Sequence, residues 1–521
     1  MPPRKKAARK APAKKATTRR KTTAPKAEAN AFQIPEALEV ENIHLDKITA
    51  HYSKIYGSEV VQDRAVPDFR DGLKPVHRAA LWSAYKLGAR HTSKYVKSAK
   101  IVGKVIGDYH PHGDTACYGA IVTIANSVMP NLIQGQGNWG SHVDNAAAHR
   151  YTEARLSQFS DLFLLDKDYL AVVPMIENYD GTQKWPLFLP ATLPVQLLVG
   201  SPTVPAYGVS AGTPSFKIPG VAKLVEFALK GKTITPKMCL KYLETHNRYG
   251  GECVSEEEDL LEFYKTGKGS FRYVPDMEYI TDKEVHITSC CPGGFSSEKS
   301  INNSLEKIAA LPGVSGVSDA GGRGQGRFNI KYKIKLKRQN ESDLEKTYDK
   351  IEQIVSGSQA FHIGYTHRKR DDIKFGRMSV CTFVTNWTKY RVSLEVAVIK
   401  YLIQEELKKL ARQELLLWGV DHIDDIAAAL KAKEGPHKHL KKLWPEKTEE
   451  FIHDILQLKV YQLAKLERSD ILNRIKEIKA VIASLKKDLK APAERILRDF
   501  NSKINKYMKT TKDRWEIPYE E

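Results

Sequence analysis

Between Ile48 and Ala125 apolar positions recur every three or four residues in four runs: Ile48 to Val61, Pro75 to Leu87, Ser98 to Tyr109 and Thr115 to Ala125. That spacing predicts four helices. Pro67, Gly88 and the turn His110-Pro111-His112-Gly113 separate them. Asp114 is placed to cap the fourth, its carboxylate accepting unpaired amide protons of the first turn. Lys94, Lys97, Lys100 and Lys104 share the spacing and make one side of the third helix and its lead-in cationic. Short helices with one basic face predict a helix-turn-helix type of DNA reader, against the plainer reading of a solvated face.

From Pro174 to about Val380 the period changes. Short β-branched runs, such as Val285 to Thr288 and Phe328 to Ile334, alternate with Gly and Pro, and a helix at Ser304 to Leu311 lies between those two. The pattern predicts an α+β region. In the last third two strong helices are expected, Arg391 to Leu417 and Glu449 to Lys490. In the second, Ile471, Ile475, Ile478, Ile482, Leu485 and Leu489 form a heptad seam. Two long helices paired antiparallel as a coiled-coil arm follow from it. A helix at Asp421 to Lys431 and the break Glu434-Gly435-Pro436 would form a knob at the arm's tip. No repeat of solenoid period is present.

Composition narrows this picture. A chain of 521 residues allows about three to five domains. With 41% hydrophobic and 9% aromatic residues it is not disordered as a whole. The longest apolar runs, such as Leu187 to Gly200, are broken by proline and fall short of the ~18 residues of a spanning helix, so no membrane role is expected. The net charge of +20 points to a polyanionic partner. Eleven of the Lys and Arg residues lie in Met1 to Lys26 with no acid among them, leaving +9 for the remainder. Such a segment cannot bury enough surface to order itself, so residues 1–33 read as a disordered basic arm, serving DNA attraction or simply solubility. Six cysteines without C-x-x-C spacing fit reduced thiols in the cytoplasm, not a zinc module.

Several motifs carry candidate chemistry. Gly135-Gln136-Gly137-Asn138-Trp139-Gly140 has the G-x-G-x-x-G spacing, but no clean strand precedes it and no long helix follows. A loop that passes close to a phosphate backbone is the better use of these glycines. Asp166-Lys167-Asp168 and Asp424-Asp425 could hold magnesium or act as caps; neither has a third acid in view. No P-loop sequence occurs, so no ATPase is expected on this chain. The most suggestive pieces are His110-Pro-His112-Gly-Asp114 and Arg150-Tyr151-Thr-Glu-Ala-Arg155. At pH 7 only about 0.1% of an ordinary tyrosine is phenolate. A nucleophilic tyrosine therefore needs a proton acceptor and cations, and these two segments offer both. Surface packing is the plainer reading of a lone Arg-Tyr pair, and His110, His112 and Asp114 would also suit a metal-dependent nuclease.

Taken together, these segments resemble the DNA-cleaving subunit of bacterial type IIA topoisomerases. The blocks are Arg64-Ala-Val-Pro-Asp-Phe-Arg70-Asp-Gly-Leu-Lys74-Pro-Val-His77-Arg78, Ser98 through Asp114, Gly135 through Ser141 and Ala147 through Leu156. Asn178 through Thr182 follows, and Tyr264-Lys-Thr-Gly-Lys-Gly269 resembles a tower-domain signature. The likeness covers about Ile34 to Tyr507.

The resemblance implies a multidomain α+β protein. It would have a winged-helix DNA-cleavage domain (34–160), an α/β tower (161–380), a coiled-coil arm with a dimer gate (381–510) and a tail (511–521). By motif position, Tyr151 would be the nucleophile and Arg150 would steady the pentavalent phosphorus. Arg64 and His110 would lie at the scissile phosphate, His110 as a proton acceptor. Lys74, His77, Arg78 and His112 would hold DNA backbone or shape the pocket. Lys97, Lys100 and Gly137 would lie along the duplex, and Val204 and Pro205 would supply an apolar wedge that bends it. No metal ligand is expected here: Mg2+ and ATP would belong to a partner subunit. The remaining implied features are double-stranded DNA as substrate, a homodimer closed through the gate, and a DNA-associated place in the cytoplasm of a bacterium or phage-infected host.

Three departures stand out. Ala79 replaces the second arginine of the family's histidine-arginine-arginine run. In the drug-pocket equivalents, Thr115 keeps the hydroxyl but Gly119 replaces the acid, which puts ordinary quinolone binding in doubt. A chain ending at Glu521 has no room for the DNA-wrapping β-pinwheel, so relaxation or decatenation by a short, phage-like form is expected over supercoiling. A non-catalytic DNA-binding protein on the same scaffold is the competing expectation.

Overall fold

The four helical runs between Ile48 and Ala125 form where the apolar period placed them, and two depart from regular geometry at points that matter. The computed structural model describes residues 44–126, 130–207, 209–248, 250–322, 329–369, 373–458 and 467–516. The basic arm therefore lies outside the described residues. Contacts divide the chain into two units, Met1–Lys54 and Ile55–Glu521. In the first, the described residues carry the opening turns of the helix Leu45–Val60.

In the second unit that helix runs into a π-helical turn, Val61–Ala65, closed by the Val66 amide on the Val61 carbonyl at 3.2 Å. The helix expected over Ser98 to Tyr109 is α-helical only for Ser98–Lys104 and then widens into a second π turn, Val105–Tyr109. There the His110 amide reaches the Val105 carbonyl at 2.7 Å. The helices Pro75–Lys86 and Asp114–Ala125 flank these turns. Gly113, not Asp114, is the cap of the latter, and Asp114 is its first helical residue, where a negative charge favours the helix dipole.

These helices pack on a three-stranded antiparallel sheet ordered Val96–Lys97, Glu153–Leu156, Ile133–Gln136. The central strand begins two residues after Tyr151. Ala154 and Leu156 on it are fully buried, so the strand is anchored in the core.

The middle of the chain is α+β, as expected. A five-stranded sheet is ordered Ser201–Ala206, Val209–Thr213, Gly357–His362, Lys268–Val274, Glu252–Cys253. A four-stranded sheet is ordered Met277–Thr281, Glu284–Ile287, Tyr332–Leu336, Val314–Asp319. The helix expected at Ser304 starts earlier, at Glu298, because Ser297 and Ser300 form a capping box.

The last third is dominated by a 42-residue helix, Val380–Asp421, and the helix Arg468–Lys490. Their ion pairs run in opposite sequence order: Asp421 with Arg468 at 2.8 Å, then Glu414 with Lys479 at 3.3 Å. The two are therefore antiparallel. Ile471, Ile475, Ile482 and Leu485 of the seam are buried between them. The single helix expected from Glu449 to Lys490 is in fact broken. Glu449–Leu456 ends at Gln457, and Glu467 is extended before Arg468. Ile452 and Ile455 turn into a separate apolar cluster with Ile426, Leu440 and Trp444, so their burial competes with continuation of the seam. Gly435, at φ 94°, and Pro436 make the expected break inside this knob.

Where the long helix meets the remainder of the unit, charge is buried. Arg391 Nη1 pairs with Glu395 Oε2 at 2.6 Å, and Tyr169 Oη donates to the same oxygen at 2.6 Å. Arg391 Nη2 donates to Tyr169 Oη at 2.8 Å, and Arg495 Nε reaches Glu395 Oε1 at 2.8 Å. Glu395 and Arg391 are fully buried, so each depends on the other for solvation.

Candidate active site

The first π turn and the segment after the second line one pocket. Asp63 and Arg64 come from the first turn, His110 closes the second and His112 follows it; Val76, Ala116 and Cys117 complete a cavity of ≈ 160 Å³. A π turn adds a residue to the helical repeat and turns side chains away from the usual register. The His110 and His112 rings stack at 3.9 Å, nearly parallel at 9°. Burial first, then the His112 ring and the Arg64 charge, pushes His110 down to about 4 from its ordinary 6.5. At pH 7 it is a neutral imidazole with a lone pair to offer. Arg64 is exposed at the mouth.

Tyr151 is 65% exposed, with the Arg150 guanidinium over its ring at 4.7 Å. Its loop is held from behind. Tyr118 Oη bonds to the Ala147 carbonyl and to Thr152 Oγ1, both at 2.8 Å, and Thr152 Oγ1 donates to Ser98 Oγ at 2.8 Å. The Ser98 amide donates to the Thr152 carbonyl and the Ala99 amide to the His149 carbonyl. Thr152 and Ser98 are fully buried, so the exposed tyrosine sits on a rigid base. Arg150 and Tyr151 are not part of the pocket lining. Sequence reasoning missed Asp63, which adjoins Arg64 in the pocket and pairs with Arg368, and it missed the Tyr118-Thr152-Ser98 support. No spacing rule joins those three.

The other expected residues divide by environment. Lys74 precedes the helix Pro75–Lys86, and burial lowers its ammonium below the ordinary lysine value. His77 is pushed down to about 3 by burial, then by the Lys74 and Arg78 charges. Arg78, expected to hold DNA backbone or shape the pocket, is turned inward. Its Nε and Nη2 hold Asp71 at 2.7 and 3.1 Å, and Asp71 also accepts the Leu189 amide at 2.8 Å. A buried bidentate pair leaves no fork for a phosphate, and with the Leu73 carbonyl as a further acceptor Arg78 fixes the turn before its helix. Lys100 is exposed, and Lys97, also exposed, pairs with Glu153 at 2.9 Å on the central strand.

Gly137 adopts φ 97° at the end of the strand Ile133–Gln136. A Cβ on Gly135 would meet Trp139 Nε1 at 2.3 Å, so the glycine motif is a tight turn under a tryptophan and not a nucleotide fold. Val204 and Pro205 are exposed near the tip of the hairpin formed by Ser201–Ala206 and Val209–Thr213, with Tyr207 beside them. Thr115 and Gly119 are exposed on the helix Asp114–Ala125. Asp166 caps the short helix Lys167–Leu170 and bonds Lys503 at 3.2 Å. Asp424 and Asp425 lie in a helix's first turn. Among the described residues no group of three or more His, Cys, Asp or Glu is arranged to hold a metal ion, and no helix is long and apolar enough to cross a membrane.

The exposed Tyr151 beneath Arg150 and the pocket of Asp63, Arg64, His110 and His112 lie in a chain whose family is shown by sequence likeness. The family model for the A-type subunit of DNA gyrase/topoisomerase IV matches residues 64–501, and the chain belongs to that family. It is 31% identical over 474 residues to the A-type subunit of DNA gyrase from Helicobacter pylori, covering 88% of this chain and 55% of that protein. To the A-type subunit of DNA topoisomerase 4 from Salmonella typhimurium it is 30% identical over 484 residues, 87% of this chain and 62% of that one. The chain thus spans a little over half the length of these relatives.

Proposed function

We propose that this chain cleaves and rejoins DNA as a subunit of an ATP-dependent type IIA topoisomerase passing one duplex through another. The observation that carries the reading is Tyr151, exposed beneath the Arg150 guanidinium on a loop fixed by buried hydrogen bonds. Tyr151 Oη would attack a backbone phosphorus. The P–Oη bond forms, the P–O3′ bond breaks, and the strand is left joined to the protein through its 5′ phosphate. The phenol proton goes to a base, for which neutral His110 is suited, and the departing 3′ oxygen takes up a proton. Arg64 and Arg150 would stabilise charge growing on the phosphate oxygens. One ester replaces another, so the step is reversible and needs no ATP.

The reading assigns residues 34–160 to a winged-helix cleavage domain, 161–380 to a tower and 381–510 to a coiled-coil arm whose knob forms a dimer gate. Two copies would cut the two strands of double-stranded DNA. Mg2+ and ATP are assigned to a partner subunit, and no step is routed through either on this chain. Lys74, His77, His112, Lys97, Lys100 and Gly137 would line the bound duplex, with Val204 and Pro205 entering it. The place of action would be DNA in the cytoplasm.

With the ATPase partner, Mg2+ and supercoiled DNA supplied, Tyr151→Phe should abolish protein-linked 5′ ends while leaving duplex binding within about twofold. Adducts at wild-type level would overturn the assignment. A DNA-binding protein without chemistry would give no adducts even in the wild type.

A further inference from the structure

Cys239 and Cys381 lie 142 residues apart in sequence, yet their sulfurs are 3.7 Å apart, and both are free thiols. Cys239 is fully buried on the helix Pro236–Tyr242. Cys381 is half-buried in the first turn of the long helix Val380–Asp421. The first turn of a helix exposes unpaired amide protons and the positive end of the backbone dipole, and both favour an anion. The two thiols are polarised in opposite senses. The hydrogen bond between the two sulfurs draws Cys381 below the ordinary thiol value, and the same bond, aided by burial, holds Cys239 well above it. Burial pushes Cys117, Cys290 and Cys291 upward, away from reactivity. A half-buried thiol that ionises more readily than usual, 3.7 Å from a buried thiol that can resolve its oxidised form, is the arrangement of a redox-sensing pair.

We propose that Cys381 reacts with hydrogen peroxide and that Cys239 converts the product to a disulfide, tying the start of the long helix to the helix Pro236–Tyr242. In the first step the Cys381 thiolate attacks one peroxide oxygen. The S–O bond forms, the O–O bond breaks, and hydroxide leaves and is protonated to water. In the second, Cys239 gives up its proton and attacks the Cys381 sulfur; the S–S bond forms, the S–O bond breaks, and a second water leaves. Two electrons pass from the sulfurs to the peroxide. The sulfurs must approach by roughly 1.7 Å to reach bonding distance, which side-chain rotation and a small helix shift can provide.

The full chain, alone at neutral pH, is treated with hydrogen peroxide and digested without reductant. The expected result is a peptide pair joining Cys239 to Cys381, lost on adding dithiothreitol. Cys239→Ser should leave a Cys381 sulfenic acid that dimedone traps, whereas Cys381→Ser should leave neither disulfide nor adduct on Cys239. Iodoacetamide provides a check on the unmodified protein: Cys381 should react about tenfold faster than Cys253, the other half-buried thiol. Equal alkylation rates, dimedone labelling of Cys253 ahead of Cys381, or cross-links mapped to other cysteines would each overturn the proposal. DNA cleavage enters none of these readouts, so the outcome is independent of the function proposed above.

Discussion

His110 and His77 hold their protons less tightly in the folded chain than in the unfolded one, and that difference has a sign. Their folded values, about 4 and about 3, lie below the ordinary 6.5. As pH falls through 6.5 the unfolded chain takes up protons that the fold refuses, so stability present above that point declines and levels off only near the folded values. The urea midpoint should therefore fall between about pH 7.5 and pH 5, and His77→Gln should flatten part of that slope. An unchanged slope in the variant would remove His77 from the account. Thr152→Val keeps the shape of the side chain but strips Tyr118 and Ser98 of a buried partner. A loss of about 1–3 kcal/mol in denaturation is expected, together with slower adduct formation by Tyr151. At this scale the motifs in the sequence marked Tyr151, Arg64 and His110 as candidates, because chemistry depends on residue type at fixed spacing. They left open whether Arg78 holds DNA backbone or shapes the pocket, and no spacing rule shows that the fold brings Asp71 back against it.

Among the elements, the local ones were legible and the non-local ones were not. The four helical runs between Ile48 and Ala125 appear within a few residues of their expected bounds, and the heptad seam of Arg468–Lys490 faces inward as its spacing requires. The long helix begins at Val380, well before the expected Arg391, because Phe383, Val384 and Trp387 pack into the main core and do not continue the seam. The five-stranded sheet had no such signal: Val209–Thr213 lies beside Gly357–His362, and pairing over that separation leaves no mark on either run. The buried cluster of Tyr169, Arg391, Glu395 and Arg495 was equally silent. Glu395→Ala would leave Arg391 charged and unpaired in the core, at a cost of about 3–5 kcal/mol, whereas Arg495→Ala removes a partner nearer the surface and should cost less. Chemical denaturation of the two variants tests the order, and a larger loss for Arg495→Ala would contradict it.

For the whole molecule, charge is the feature on which sequence and fold bear differently. Eleven cations stand in Met1 to Lys26, outside the described residues, and the chemistry is assigned to a few cations placed by the fold. Each neutralised phosphate steepens the fall of log K with log salt by about 0.9, so removing residues 1–26 should flatten the salt dependence of DNA binding and spare adduct formation. An unchanged slope would make the arm a solubilising tail. The ionic cluster around Arg391 has a mechanical consequence as well. From Arg391 to Asp421 the long helix continues for 30 residues, roughly 45 Å of nearly stiff rod. Pivoted at that salt-bridged arginine the rod would act as a lever, and a tilt of about 5° there would sweep the far end through roughly 4 Å. The stiffness of a few buried hydrogen bonds would then bound how far the tip travels.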